Sequence, residues 1–139
     1  MFKFELITPT RVLAQKDEVY QVNLPSEAGE LGIRSRHMNL VVPLKPGVVE
    51  VFEKEGAAPD HFVIFGGVAE VTGQDLKILA TTAEHADEID AAKAEEARQK
   101  AEKAKKDAKD DVSFADASGA LEREIARLRT IERRKKYRK

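Results

Sequence analysis

Glycine and proline all but stop two-thirds of the way along this chain. All five prolines (Pro9, Pro25, Pro43, Pro46, Pro59) and seven of the eight glycines precede residue 87, and only Gly119 follows it. Both residue types punctuate turns and are disfavoured inside helices. The first 86 residues must therefore turn often, whereas the last 53 can run as long helices. Charge changes at the same boundary. The whole chain nearly cancels, with 24 Lys and Arg against 25 Asp and Glu. Residues 1–86 hold 8 basic and 12 acidic side chains, and residues 87–139 hold 16 and 13, so the two parts carry −4 and +3. Two domains are predicted, 1–86 and 87–139.

Several classes are excluded early. The longest apolar run, Phe62 to Ala69, includes two glycines and falls well short of the roughly 20 residues a membrane-spanning helix needs. No membrane insertion is expected. The chain lacks cysteine, which removes disulfides, thiolate catalysis and cysteine-ligated zinc. Its N-terminus shows no basic segment followed by a hydrophobic stretch, so no signal peptide is expected.

The first part reads as antiparallel β structure. Phe2, Phe4 and Leu6 alternate with Lys3 and Glu5, a period of two that places the apolar set on one sheet face. Tyr20, Val22 and Leu24 repeat the pattern, as do Val49 and Val51 after the Pro46-Gly47 turn. Phe62-Val63-Ile64-Phe65 is apolar at every position and fits a strand buried on both sides. Gly66-Gly67 is expected to break or bulge the chain. Strands at 68–71 and 76–79 follow across Gly73-Gln74-Asp75. Short strands with regular turn signals predict a β-sandwich or barrel.

The second part reads as an antiparallel two-helix hairpin, making the chain α+β overall. Asp87 and Asp90 resemble a helix start. Ala94, Ala97, Ala101, Ala104 and Ala108 recur at helical spacing as one narrow seam. Asp107 to Val112 is the expected turn, with Ser113 capping the second helix. Phe114, Ala117, Leu121, Ile125, Leu128 and Ile131 form the second apolar stripe. Alanine buries little area, so such a hairpin is held weakly. Weak packing is what a movable element needs, although a fixed helical appendage fits the pattern equally well.

No catalytic constellation emerges. His37, His61 and His85 are 24 residues apart, and no pair has the spacing of a helical metal site. There is no Walker-type loop and no nucleophile elbow. The chain is read as a non-enzyme. Its densest charge block is the basic run Arg133-Arg134-Lys135-Lys136-Tyr137-Arg138-Lys139, joined by Arg127 and Arg129. This block suits an acidic protein surface or, as an alternative, nucleic acid. With Tyr137 as its only aromatic residue it offers little for base stacking.

The segment Glu27-Ala28-Gly29-Glu30-Leu31-Gly32-Ile33, then His37, Leu40 and Leu44-Lys45-Pro46-Gly47-Val48, resembles the epsilon subunit of bacterial F-type ATP synthase. Gly66-Gly67-Val68-Ala69-Glu70-Val71 resembles a later segment of that family. The family's Pro-Gly before the histidine is here Ser35-Arg36, and its following proline is Asn39. The resemblance implies a non-catalytic central-stalk subunit, peripheral at the cytoplasmic face of the bacterial plasma membrane. The sandwich would clasp the gamma subunit and meet the c-ring through Glu30, Leu31 and His37, coupling ring rotation to the catalytic head. The hairpin would either dock on the sandwich or extend and inhibit ATP hydrolysis. When extended, Arg127, Arg129, Arg133, Arg134, Lys135 and Lys136 would meet acidic residues of the beta subunits in the alpha/beta head.

Some members of that family bind ATP without hydrolysing it. Ile89-Asp90-Ala91-Ala92-Lys93-Ala94 matches their motif except for Lys93 in place of arginine. By position, Glu84, Lys100, Arg123 and Arg127 match other residues of that site. The resemblance thus implies a regulatory ATP site built from Glu84, Ile89, Asp90, Lys93, Ala94, Lys100, Arg123 and Arg127, with no required cofactor. The competing readings are a nucleic-acid-binding module and a passive adaptor whose hairpin stays docked. The acidic sandwich and basic hairpin also suit each other.

Overall fold

The computed structural model describes residues 1–137, and Arg138 and Lys139 of the basic run lie outside the described residues. Eight strands come first: β1 (Phe2–Ile7), β2 (Val12–Val19), β3 (Gln21–Ser26), β4 (Gly29–Arg34), β5 (Leu40–Phe52), β6 (Asp60–Thr72), β7 (Asp75–Ala80) and β8 (Ala83–His85). A single 3-10 turn, Ala86–Glu88, leads to helices α1 (Ala91–Asp107) and α2 (Asp111–Lys135). The architecture is a sandwich-like sheet followed by a helical hairpin, as the alternation and the glycine and proline boundary predict.

The strands form one continuous sheet in the order β2-β1-β7-β6-β5-β3-β4, with β8 also paired to β6. Every pairing is antiparallel except β1 with β7, which is parallel. That long-range pairing departs from the purely antiparallel expectation and joins the first strand to one late in the domain. The two 13-residue strands β5 and β6 hold the layers together. The first half of β6 pairs with β8 through Phe62–Ile64, and its second half pairs with β7 through Gly67–Thr72. The two halves of the sheet enclose a core containing Phe4, Leu6, Val22, Leu24, Ile33, Phe62, Ile64, Leu76 and Ile78.

β6 changes partner at Gly66-Gly67 without breaking. Both glycines have positive φ, 101° and 143°. A Cβ on Gly67 would lie 2.3 Å from the Leu79 carbonyl oxygen and 2.8 Å from the Ala80 Cα. Only glycine fits so close a backbone approach. The expected interruption is therefore a bend within one strand.

The hairpin differs in detail from its predicted boundaries. Asp87 lies in the 3-10 turn, and α1 starts after Asp90, whose carboxylate accepts the Lys93 N–H at 3.1 Å. The cap of α2 is Asp110, not Ser113. The Asp110 carboxylate accepts the Ser113 N–H at 2.7 Å and the Ser113 hydroxyl at 3.1 Å. An ionised acceptor makes a stronger cap bond than a hydroxyl, so the helix begins earlier and the turn shortens to 108–110. Ala94 and Ala101 are buried, whereas Ala104 near the tip is exposed. Phe114 departs from its expected inward position. It is 48% exposed, with the Lys105 ammonium 5.3 Å from its ring centroid. α2 packs on α1 and also covers β5 and β6. This second role explains why Phe62–Ile64 are buried on both faces.

Candidate functional site

Two arginines fasten α2 to the sandwich, and a third fastens it to the 3-10 turn that follows. Arg127 donates from Nε and Nη2 to the two carboxylate oxygens of Glu84 on β8, at 3.0 and 2.9 Å. It also pairs with Glu124 one helical turn back, and it lies over the Phe65 ring at 4.8 Å. The hydrogen bonds to Glu84, and the charges of Glu84 and Glu124, hold its guanidinium above the ordinary value against the opposing effect of burial. Arg133 donates to Glu50 on β5 at 2.9 Å and approaches Glu30 on β4 at 3.7 Å. Arg134 donates to Asp87 in the 3-10 turn at 2.5 Å.

Glu50 is the most deeply placed of these acceptors. It is 3% exposed and also accepts from His61 Nε2 at 3.0 Å and Asn23 Nδ2 at 3.2 Å. Burial is the largest influence on its carboxyl and pushes its pKa up. The hydrogen bonds from His61 and Asn23, together with Arg133, outweigh burial and hold the pKa below the usual carboxylate range. A charge-assisted network of this kind is worth most where water is excluded. Sequence reasoning missed Glu50 and His61 as functional residues. Both sit in ordinary strand alternation, and only the pairing of Glu50 with His61 across β5 and β6 puts them under one helix.

The structure splits the sequence-predicted residues into groups. Glu30 and Leu31 lie on β4, and His37 lies in the loop that follows it, its Nδ1 3.0 Å from the Met38 carbonyl oxygen. Arg36 in that loop has a φ of 64°, a left-handed conformation costly for any residue but glycine. It stands where the resembled pattern has glycine. Of the predicted nucleotide residues, Glu84 and Arg127 are brought together, as partners of each other. Asp90 caps α1, and Ala94 is buried in the helix seam. Lys100 is exposed and pairs with Glu96 at 3.2 Å. Arg123 and Lys93 are exposed, with no ion pair among the described residues. The short turn at 108–110 joins α1 to α2, and the two helices pack on each other. Of the basic-end residues, Arg129, Lys135 and Lys136 are exposed, while Arg133 is turned onto the sandwich and Arg134 onto the 3-10 turn. Of the positive charge read as free for nucleic acid, Arg127, Arg133 and Arg134 are thus committed to the chain's own carboxylates, whereas Arg129, Lys135 and Lys136 remain exposed.

A second surface lies on the outer face of the sheet. Ile7 is registered with Val12 on β2 and with Leu79 on β7; Leu79 is registered with Val68 on β6, and Val68 with Pro43 on β5. These residues form one apolar row across five strands. Val12, Leu79 and Val68 are 58%, 49% and 40% exposed. The next row, Gln15, Glu5, Lys77, Glu70 and Val41, is mainly polar. A shallow hollow of about 350 Å³ flanks the apolar row at Ile7, Pro9 and Leu79. The row is thus an exposed apolar strip beside a mainly polar one. It is invisible in the sequence because it exists only across the strand register.

The family model for the ATP synthase delta/epsilon chain β-sandwich domain matches residues 1–86, and the model for its long α-helix domain matches residues 87–132. The chain belongs to the ATP synthase delta/epsilon family. An ATP synthase epsilon chain from Syntrophomonas wolfei is 37% identical over 132 residues, covering 95% of both chains. The mitochondrial ATP synthase delta subunit of Pichia angusta is 38% identical over 87 residues, covering 63% of this chain and 54% of that one. Among solved structures, a chain of the Euglena gracilis mitochondrial ATP synthase (OSCP/F1/c-ring) superposes with a TM-score of 0.80 and 28% identity, covering 90% of this chain and 78% of that one. A chain from the central stalk and c-ring of the Tetrahymena thermophila mitochondrial enzyme shares the fold, with a TM-score of 0.63 and 17% identity, covering 98% and 96%. This delta/epsilon subunit is a non-catalytic central-stalk component of the ATP synthase complex. None of its described helices is long and apolar enough to cross a membrane.

Proposed function

We propose that this delta/epsilon subunit couples c-ring rotation to the catalytic head through gamma, at the cytoplasmic face of a bacterial plasma membrane, and that its hairpin leaves the sandwich to inhibit ATP hydrolysis. The observation that carries the reading is the construction of the hairpin–sandwich contact. It is built around Arg127, Arg133 and Arg134, each paired with a sandwich or linker carboxylate. Ion pairs can be exchanged for equivalent pairs on an acidic partner surface at little net cost, whereas an apolar core cannot. Acidic residues of the beta subunits would supply such a surface to the same arginines and to Arg129, Lys135 and Lys136. The apolar row Val12-Ile7-Leu79-Val68-Pro43 supplies the clasp for gamma, and the β4 end with Glu30, Leu31 and His37 meets the c-ring. Removal of residues 87–139 leaves both surfaces intact. The assembled enzyme should then form normally and hydrolyse ATP severalfold faster than with the full chain. Unchanged hydrolysis under every nucleotide condition would end the inhibitory reading, and failed assembly would show that the sandwich alone does not make these contacts.

ATP is proposed to favour the docked hairpin. Lys93, Lys100 and Arg123 offer exposed cations on α1 and α2, and the Ile89 to Ala94 segment opens α1. Arg127 would have to share its guanidinium between Glu84 and phosphate. A ligand bound only to the docked state stabilises it by RT ln(1 + [L]/Kd). Calorimetry on the full chain should show saturable binding by millimolar ATP, weakened at least tenfold by Arg123→Ala. A flat titration would remove ATP from the account.

A further inference from the structure

Past Arg127, α2 crosses a cleft of about 220 Å³ whose lining includes Pro25 of β3, Glu30 of β4, Lys45 and Gly47 of β5, and Arg129 and Arg133 of α2 itself. Three cations, one from the sandwich and two from the hairpin, thus meet around one exposed carboxylate. We propose that this cleft binds inorganic phosphate between Lys45 on one side and Arg129 and Arg133 on the other, with Glu30 selecting phosphate over sulfate. The site is complete in the docked chain. Its effect on docking rests on the reading that the hairpin moves.

The hollow comes from a bulge. Asn23 of β3 faces Glu50 of β5, and Ser26 faces Leu44, so two residues of β3 oppose five of β5. The surplus carries Lys45-Pro46-Gly47-Val48 out of register with β3, and bulges of this kind re-aim side chains. The floor is tight, since a Cβ on Gly47 would lie 2.7 Å from the Pro25 Cβ. α2 closes the other side. Arg129 and Arg133 are four residues apart and share one helix face. Arg127 and Arg129 are two apart, roughly 200° around a helix. The cleft is therefore separate from the face that bears Arg123 and Arg127, and Lys93, Lys100 and Arg123 do not line it.

Charge and proton count select the ligand. Lys45 and Arg129 are exposed and have no ion pair among the described residues. Their two unspent charges match a phosphate dianion. Arg133 is oriented by its hydrogen bond to Glu50 at 2.9 Å, which leaves guanidinium N–H groups for a further acceptor. Glu50 is also held by His61 and Asn23, so it does not depend on Arg133 alone. Glu30, 3.7 Å from Arg133, repels any oxyanion that brings no proton. Singly protonated phosphate has one O–H to donate to that carboxylate, whereas sulfate has none and meets it as an uncompensated like charge. The volume falls below the roughly 300–1,000 Å³ of sites that enclose drug-sized ligands, so the cleft suits a lone oxyanion better than a nucleoside. Phosphate held there bridges β5 and α2, and a ligand bound only to the docked state stabilises that state.

Calorimetry on the full chain tests the site, at constant ionic strength because salt screens exposed charges. It should show saturable phosphate binding in the millimolar range and sulfate binding weaker by about tenfold. Lys45→Ala and Arg129→Ala should each weaken phosphate about tenfold, the loss of one charge-assisted hydrogen bond. Glu30→Gln should abolish the preference, because an amide can donate to sulfate. Amide resonances should place the ion by shifting at Lys45, Gly47 and Arg129. Absence of saturation, equal binding of phosphate and sulfate by the native chain, or an affinity unchanged in both alanine variants overturns the site. Shifts centred on Lys93 and Arg123, with ATP displacing the ion, also overturn it and assign the oxyanion to the proposed nucleotide site. Docking is read separately. The chain has no cysteine, so dyes on Lys54→Cys and Lys109→Cys report hairpin position, and phosphate should raise the docked fraction in an Arg127→Met chain. A partly docked hairpin that ignores bound phosphate would overturn the bridge between Lys45 and the two arginines. A hairpin fully docked in that chain with and without phosphate would leave the site standing and defeat the movable-hairpin reading instead.

Discussion

Replacing Gly67 with alanine should cost the sandwich more than 3 kcal/mol, a large part of the roughly 5–15 kcal/mol that holds a domain of this size together. Two independent penalties act at this position. Its φ of 143° lies where side chains are strained. Its added Cβ would meet backbone atoms of β7, the Leu79 oxygen at 2.3 Å and the Ala80 Cα at 2.8 Å. Backbone in a paired strand cannot rotate away as a side chain can, so relief requires separating β6 from β7 where the two layers join. Thermal unfolding of the variant should fall by about 15 °C or more, at roughly 4–8 °C per kcal/mol for a domain of this size. Gly73→Ala is the control. It lies in the β6–β7 turn, and a Cβ there meets nothing within 4 Å, so its melting temperature should move by no more than a few degrees. A Gly67→Ala protein that melts with the native one would refute the close-approach account of this bend.

Replacing Arg127 with methionine should weaken hairpin docking by about 2 kcal/mol, a factor of roughly 30 in the docking equilibrium. The change keeps much of the aliphatic stem but leaves two carboxylates, Glu84 and Glu124, facing each other without their shared cation. Fully buried pairs cost more to break, but Arg127 and Glu84 keep about a quarter of their side-chain exposure, and water screens part of the loss. Arg127→Lys should recover only part of the effect, because an ammonium cannot hold both Glu84 oxygens in the planar fork. Adding Glu84→Gln to Arg127→Met should restore some docking by removing one unpaired charge. Amide exchange along α2 reads the effect directly. Faster exchange of α2 with unchanged protection of β6 and β7 is expected, and equal protection in variant and native chains would show that the ion pair contributes little.

Much of the architecture was legible because its causes are local. The β alternation at Phe2, Phe4 and Leu6 and the apolar run 62–65 depend on side-chain periodicity. The helical hairpin depends on the absence of turn-formers after residue 86. Cap positions were less legible, since Asp110 and Ser113 are both competent caps and differ only in the strength of the bond each makes. The candidate site was least legible. Its residue types were visible, and the opposite charges of the two domains suggested mutual attraction. The pairing of Arg133 with Glu50 crosses 83 residues of chain, and no periodicity reports on that.

By itself the sequence determined the division at residue 86, the sign of charge on each side and the family to which the chain belongs, because each follows from residue type and order. The tertiary structure alone decided the rest. It set β1 parallel to β7, lined up Val12, Ile7, Leu79, Val68 and Pro43 as one row, and aimed three arginines of α2 at Glu84, Glu50 and Asp87. Strand register and helix docking bring together residues far apart in the chain, and their energy depends on distances that no local pattern encodes. Arg127, Arg133 and Arg134, which looked free in the sequence, are therefore the ones paired with carboxylates of their own chain.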